Sequence, residues 1–311
     1  MALSGKQVVS RPPIRGAEPR SLMAKADSFQ DRGLYQKAER MYRRALRAAE
    51  RRFGTDHPEV ATVLNNFAVL YKYMGKFSEA GRFYQRALTI TEASVGGDHP
   101  DAATIYHNLG GLEHAAGNWA RGEPFARRAV EIRRKALGPE HPDVGADLAA
   151  LAALLDAQRK YGEAERLYQR ALAIFERVYG PDHYEVAATL NNLGAIDQAH
   201  GRLAKAESLY RRALATKEKL LGLDHPDVAV SLNNLAVLLK KRRHFAEAQL
   251  LFRRALRAFQ KALGLRHPNV AVYLENWAQL LREIKQTAEA LRLEERARRI
   301  RAGLDTLLTE S

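Results

Sequence analysis

Cysteine is absent from the 311 residues, which excludes disulfides, thiol nucleophiles and thiolate metal sites. Long apolar runs are missing as well. None approaches the ~20 residues a helix needs to cross a bilayer. The opening Met-Ala-Leu-Ser-Gly-Lys-Gln-Val-Val-Ser holds no apolar stretch of signal-peptide length. Nor does the chain carry a phosphate-cradling glycine loop, a nucleophile–base constellation or a cluster with metal-ligand spacing. These gaps lead to the expectation of a soluble, cytoplasmic protein that is not an enzyme and uses no cofactor, no metal and no membrane span. Two things are plentiful: hydrophobic residues, at 46% enough for a long core, and positive charge, at a formal +14.

The hydrophobic residues are arranged periodically. Histidines recur at 42-residue steps (His57, His99, His141, His183, His225, His267), each with a glycine three residues earlier (Gly54, Gly96, Gly138, Gly180, Gly222, Gly264). A ladder in constant phase identifies a repeat array, in which each unit buries its apolar face only by stacking on a neighbour. The unit reads L-G-x-D-H-P-x-V-A-x-x-L-N-N-L-A, then a polar break, then E-A-x-x-x-Y-x-R-A-L. Both halves space their apolar residues three and four apart, as helices do.

The punctuation has physical causes. Glycine past a helix end takes the left-handed conformation that closes a C-terminus. Proline in the following first turn loses no hydrogen bond, although Tyr184 stands there in the fifth block. Asp or His just before it is placed to cap free N–H groups. Gly33, Gly75, Gly117 and Gly201 mark the second break. Gly122 and Pro124 fall inside a second helix and predict a bend near 120–124. Counting back from His57 adds a further pair at about 18–46 and gives seven helix pairs. The expected layout is a disordered basic tail at 1–17, an all-α array over 18–303 and a short C-terminal tail at 304–311.

Small residues such as Ala68, Ala80 and Ala87, set against large ones such as Leu64, Phe77 and Tyr84, resemble the tetratricopeptide repeat. The 42-residue unit with L-G-x-D-H-P and L-N-N-L-A is similar to the kinesin light chain type. That resemblance implies a right-handed superhelical solenoid of antiparallel pairs, with the first helices lining a concave groove that holds a protein or peptide segment. It implies no catalysis. The coiled-coil segment of kinesin light chains has no counterpart here, so a motor-cargo role does not follow.

On this resemblance the asparagine pairs face the groove. The second position holds Asn66, Asn108, Asn192, Asn234 and Asn276; the first holds Asn65, His107, Asn191 and Asn233, with Glu275 last. An amide offers two donors and an acceptor, so it can grip a peptide backbone without reading side chains. The competing role is to tie one repeat to the next. Repeat four replaces the pair with Ala149-Ala150, and with Ala153 this forms a candidate apolar subsite, unless it only tightens the packing. The histidines sit one per turn, too far apart to share a metal ion, and are expected to cap and pack.

Charge divides unevenly between the helices. The six groove helices from residue 58 on carry eleven acids and five bases, a net of −6. Five of those acids sit in first turns, where they complement the helix dipole. The positive excess therefore belongs to the second helices and tails, including an arginine ladder (Arg44, Arg86, Arg128, Arg170, Arg212, Arg254, Arg296) expected to face outward. Lys240 and Lys241, with Arg282, are the exception and are candidate carboxylate contacts. The leading expectation is a scaffold or adaptor that binds an extended segment of a protein partner. The alternative is a nucleic-acid or other anionic-surface binder using the arginine-rich face. Sequence alone leaves the oligomeric state open.

Overall fold

The computed structural model describes residues 19–265 and 268–302. Both expected tails, 1–17 and 304–311, lie outside that range, as does His267. Among the described residues there are fourteen helices and no strand. They follow one another as pairs: α1 (Pro19–Asp31) with α2 (Tyr35–Phe53), α3 (Pro58–Tyr73) with α4 (Phe77–Val95), and α5 (Pro100–Ala115) with α6 (Trp119–Leu137). The series continues with α7 (Pro142–Ala157) and α8 (Tyr161–Tyr179), then α9 (Tyr184–Ala199) and α10 (Leu203–Leu221). It ends with α11 (Pro226–Lys241) and α12 (Phe245–Leu263), then α13 (Pro268–Glu283) and α14 (Thr287–Arg301). Two compact units divide at Ile132/Arg133, inside α6. The helix itself runs unbroken through Pro124.

Five of the first helices, α3, α5, α7, α9 and α11, start the same way. The histidine before each is extended and its Nδ1 accepts the backbone N–H two residues on, at 3.1 Å for His57–Glu59 and 3.2 Å for His183–Glu185. His99, His141 and His225 do the same. The ring is therefore a cap acceptor, and its Nε2 carries the proton. Aromatic stacking holds two of these rings, Phe53 on His57 at 4.7 Å and Tyr179 on His183 at 4.2 Å.

The turn inside each pair needs a left-handed residue, because the chain reverses through a bond from the next N–H to the carbonyl five residues back. Lys76 N–H to Tyr71 O, at 2.9 Å, is one example. Glycine supplies it at Gly75 (φ 72°) and Gly201 (φ 75°), but repeats four, six and seven put Arg159, Arg243 and Lys285 there at φ 61–63°. A side chain in that region costs about 1–2 kcal/mol, partly offset by glycine's greater loss of freedom on folding, about 0.5–1 kcal/mol. Arg243→Gly is therefore expected to stabilise the fold by roughly 0.5–1 kcal/mol. Urea denaturation measures it, and an unchanged or lower midpoint would mean the turn is not strained.

Alanines let helices approach closely while large rings fill the spaces between them. In the first unit Ala45, Ala68, Ala80 and Ala87 are fully buried around Tyr42 and Phe67, whose rings stack at 5.4 Å. The second unit buries Ala206, Ala213, Ala248 and Ala255 beside Tyr210 and Phe252.

Candidate functional site

The first helices carry the asparagine ladder, and its hydrogen bonds run between repeats. The Asn108 amide donates to Asn65 Oδ1 at 2.9 Å in the first unit. In the second unit Asn234 donates to Asn191 at 3.3 Å and Asn276 to Asn233 at 3.1 Å. In each case the second-position amide of one repeat holds the first-position carbonyl 43 residues earlier. Asn191 and Asn233 are only 8–9% exposed, so these first-position amides act as ties. Asn108, Asn192, Asn234 and Asn276 are half-buried. Each tie occupies one N–H and leaves the other N–H and the carbonyl available. Asn65 also donates to Asn66 Oδ1, at 3.1 Å.

Asn192 is different because the residue 43 positions before it is Ala149. Among the described residues its amide makes no hydrogen bond. Ala149, Ala150 and Ala153 lie half-buried on α7, with Ala146 and Ala157 on the same face. His107 is half-buried on α5. A cavity of about 300 Å³ opens in the first unit between α3, α4 and α5, lined by Pro58, Asn65, Asn66, Thr91 and Asp101 among others.

Two of the three expected carboxylate contacts have acidic or amide partners within the chain. Lys240 is held by Gln279 at 2.9 Å and lies 3.7 Å from Glu283, and its side chain is only 12% exposed. Arg282 donates two hydrogen bonds to the Glu294 carboxylate on α14, at 2.6 and 2.7 Å. Both charges are already matched within the chain, since an acid one or two helices away lies within reach of each. Lys241 and Arg282 are exposed, and Lys240 is not.

The arginine ladder is likewise engaged across repeats. Arg86 pairs with Glu50, Arg212 with Glu176 and Arg254 with Glu218, at 2.6–2.8 Å and a constant separation of 36 residues. Arg128 reaches Asp98 at 2.6 Å, and Arg170 pairs with Glu140. Exposed pairs of this kind are worth little singly. They do leave that ladder less uncompensated charge than a count of arginines suggests.

Two second-helix cations outside the arginine ladder went unremarked in the sequence. Arg133 and Lys217 hold the same place in the unit, 84 residues apart, and both point inward. Arg133 is 13% exposed and lies 2.7 Å from the Asp147 carboxylate, which is 1% exposed. Lys217 is 5% exposed, and burial holds its ammonium below the usual lysine range. Desolvation lowers the Lys72 ammonium on α3 in the same way. The available signal was register: position 91 of the repeat frame lines the cavity, and Lys217 is that position three repeats on.

Among the described residues no group of three His, Asp or Glu comes together to hold a metal ion. No described helix is long and apolar enough to cross a membrane.

A comparison with curated proteins gives no match. Solved structures give several. A kinesin light chain repeat protein of Podosopora anserina is 25% identical, with a TM-score of 0.55 over 67% of this chain and 99% of that one. BtubC (BKLC) from P. vanneervenii shares the fold at 24% identity, with a TM-score of 0.59 over 80% of this chain and 93% of that one. A Rap protein complexed with competence and sporulation factor shares it at 15% identity and a TM-score of 0.68, over 92% of this chain and 75% of that one. The tetratricopeptide repeat model matches residues 18–93, 60–135, 101–176, 157–219, 185–261 and 247–302 in overlapping windows. With two-helix units in constant phase and that model covering the array, the chain belongs to the tetratricopeptide repeat family.

Proposed function

We propose that the chain is a non-catalytic scaffold whose first-helix face holds an extended segment of a partner protein. The half-buried amide ladder carries this reading. Asn108, Asn234 and Asn276 are oriented by a bond to the preceding repeat and keep a donor and an acceptor in hand. Such pre-orientation reduces the ordering cost of gripping a backbone. Asn192, whose amide makes no hydrogen bond among the described residues, and the alanines of α7 extend the same face within the second unit. The family is one of interaction scaffolds, and a Rap protein that shares the fold is complexed with competence and sporulation factor. Work in the cytoplasm fits this role.

Asn192 provides a clean test because removing it breaks no internal bond. Asn192→Ala is expected to leave thermal stability unchanged and to weaken capture of a partner, identified by affinity purification, about tenfold, the loss of one well-placed hydrogen bond. Asn234→Ala, in contrast, should also lower stability by roughly 1 kcal/mol, because it strands the buried Asn191 carbonyl. Partner affinity unchanged in a folded Asn192→Ala chain would remove the amide face from consideration.

A further inference from the structure

The earliest of the second helices carries a row of cations that the fold does not neutralise. Lys37, Arg40, Arg44, Arg47 and Arg51 stand three and four residues apart along α2, and all are exposed. At 3.6 residues per turn they fall within an arc of roughly 80° around the helix axis, and they extend over about 21 Å of it. Ala38, Tyr42, Ala45 and Ala49 are buried on the opposite side, so the row points away from the core. Among the described residues none of the five makes a hydrogen bond or an ion pair. Lys37 only lies over the Phe29 ring, 5.9 Å from its centre.

The repeat frame explains the imbalance. Arg86, Arg212 and Arg254 each reach an acid 36 residues back, in the preceding repeat. For Arg44, in the first described repeat, the residue 36 positions back is Val8. Before Pro19 the sequence has one acid, Glu18, against Lys6, Arg11 and Arg15, too little negative charge to neutralise the row. The acids of α2 are already engaged, Glu39 by Arg43 and Lys76 and Glu50 by Arg86. No other second helix has a cation at all five places; in α4 they hold Glu79, Arg82, Arg86, Thr89 and Ala93. Like charges three and four residues apart repel and weaken a helix. The row therefore works against the stability of α2, and an anion laid along it would relieve the repulsion.

We propose that this row binds the phosphodiester backbone of a nucleic-acid duplex without reading its sequence. Each duplex strand carries a charge every ~3.4 Å of axis, so the row faces about six phosphates of one strand. Four of the five cations are arginines, whose planar fork fits a phosphate with two hydrogen bonds. Every exposed residue from Lys37 to Arg51 is basic. The aromatic platform on which a single strand stacks is thus missing. So are the apolar side chains that a helix inserts into a lipid interface. This surface lies on a second helix and needs no part of the amide face, which belongs to the first helices.

The test follows the anisotropy of a fluorescent DNA duplex of about 20 base pairs, titrated with the full chain at several salt concentrations. Neutralising four or five phosphates gives a slope of log K against log salt of about −4, a loss of about 200-fold between about 50 and about 200 mM. Arg40→Gln with Arg47→Gln should bring the slope to about −2 and weaken binding at the higher salt at least tenfold. Arg212→Gln with Arg254→Gln removes the same charge from arginines already paired and should leave the slope at about −4. The first double variant should melt at or above the temperature of the native chain, since it removes only repulsion. A lower melting point would show that the fold already uses these arginines and would overturn the proposal. An unchanged slope in that variant does the same, as does an equal loss in the Arg212 and Arg254 variant, which would reduce the effect to net charge. A capped oligoglutamate peptide and vesicles of phosphatidylcholine with phosphatidylserine serve as competitors. Displacement of the duplex by either at equal anionic charge would reassign the row to an acidic protein or a membrane. Asn192→Ala should bind the duplex as the native chain does, which separates this surface from the amide face.

Discussion

Tyr210→Ala is expected to destabilise the second unit by about 3–5 kcal/mol, the range for deleting a buried aromatic ring. Tyr210 is 2% exposed and packs on α9 where Gly194 leaves bare backbone; a methyl built there would lie 2.8 Å from its ring. The void could not collapse, because glycine has no side chain to move into it. The same contact makes Gly194→Ala costly, by about 1–3 kcal/mol from overpacking. In the Tyr210→Ala background that methyl should help. Ala68 and Ala236 occupy the same place in other repeats, so the fold tolerates alanine there when the ring sits farther off. Urea denaturation of both single variants and the double variant measures the coupling. Strictly additive losses would show that ring and glycine do not define one packing site.

Arg133→Met is expected to cost a similar amount, about 3–5 kcal/mol, for an electrostatic reason. The change leaves the Asp147 carboxylate, 1% exposed, without the guanidinium 2.7 Å away. Replacing both residues, with Arg133→Met and Asp147→Leu, should recover most of the loss, since a buried ion pair is often no more stabilising than well-packed apolar groups. Chemical denaturation of the two variants decides it. A single variant as stable as the native chain would mean that water or another group already screens the carboxylate.

Much of the fold was legible because its determinants are local and repeat in phase. The His–Pro step, the glycine after each second helix and the apolar spacing marked helix starts and ends to within about two residues, the usual spread of such boundaries. Pairing between repeats was not legible, because it depends on side chains 36 and 43 positions apart. A reading by helical face assigns Arg86 and Arg212 to solvent, whereas each reaches an acid of the preceding repeat. It also leaves Asn191 and Asn233 open between ligand contact and a tie to the next repeat, and only the structure shows both buried as acceptors. Lys217 escaped for a related reason: its helix is mostly outward-facing, and only comparison with Arg133 and Thr91 in the common frame shows that this position turns in. The left-handed Arg159, Arg243 and Lys285 hid a turn that glycine marks in the other repeats.

The 43-residue amide bond also means that these modules are not interchangeable bricks. Whether an asparagine stands ready or untethered is decided by its predecessor, so the order of the units is itself information. Transplanting the sixth unit to follow the fourth would set Asn234 opposite Ala149, and a change made in one block would be felt in the next.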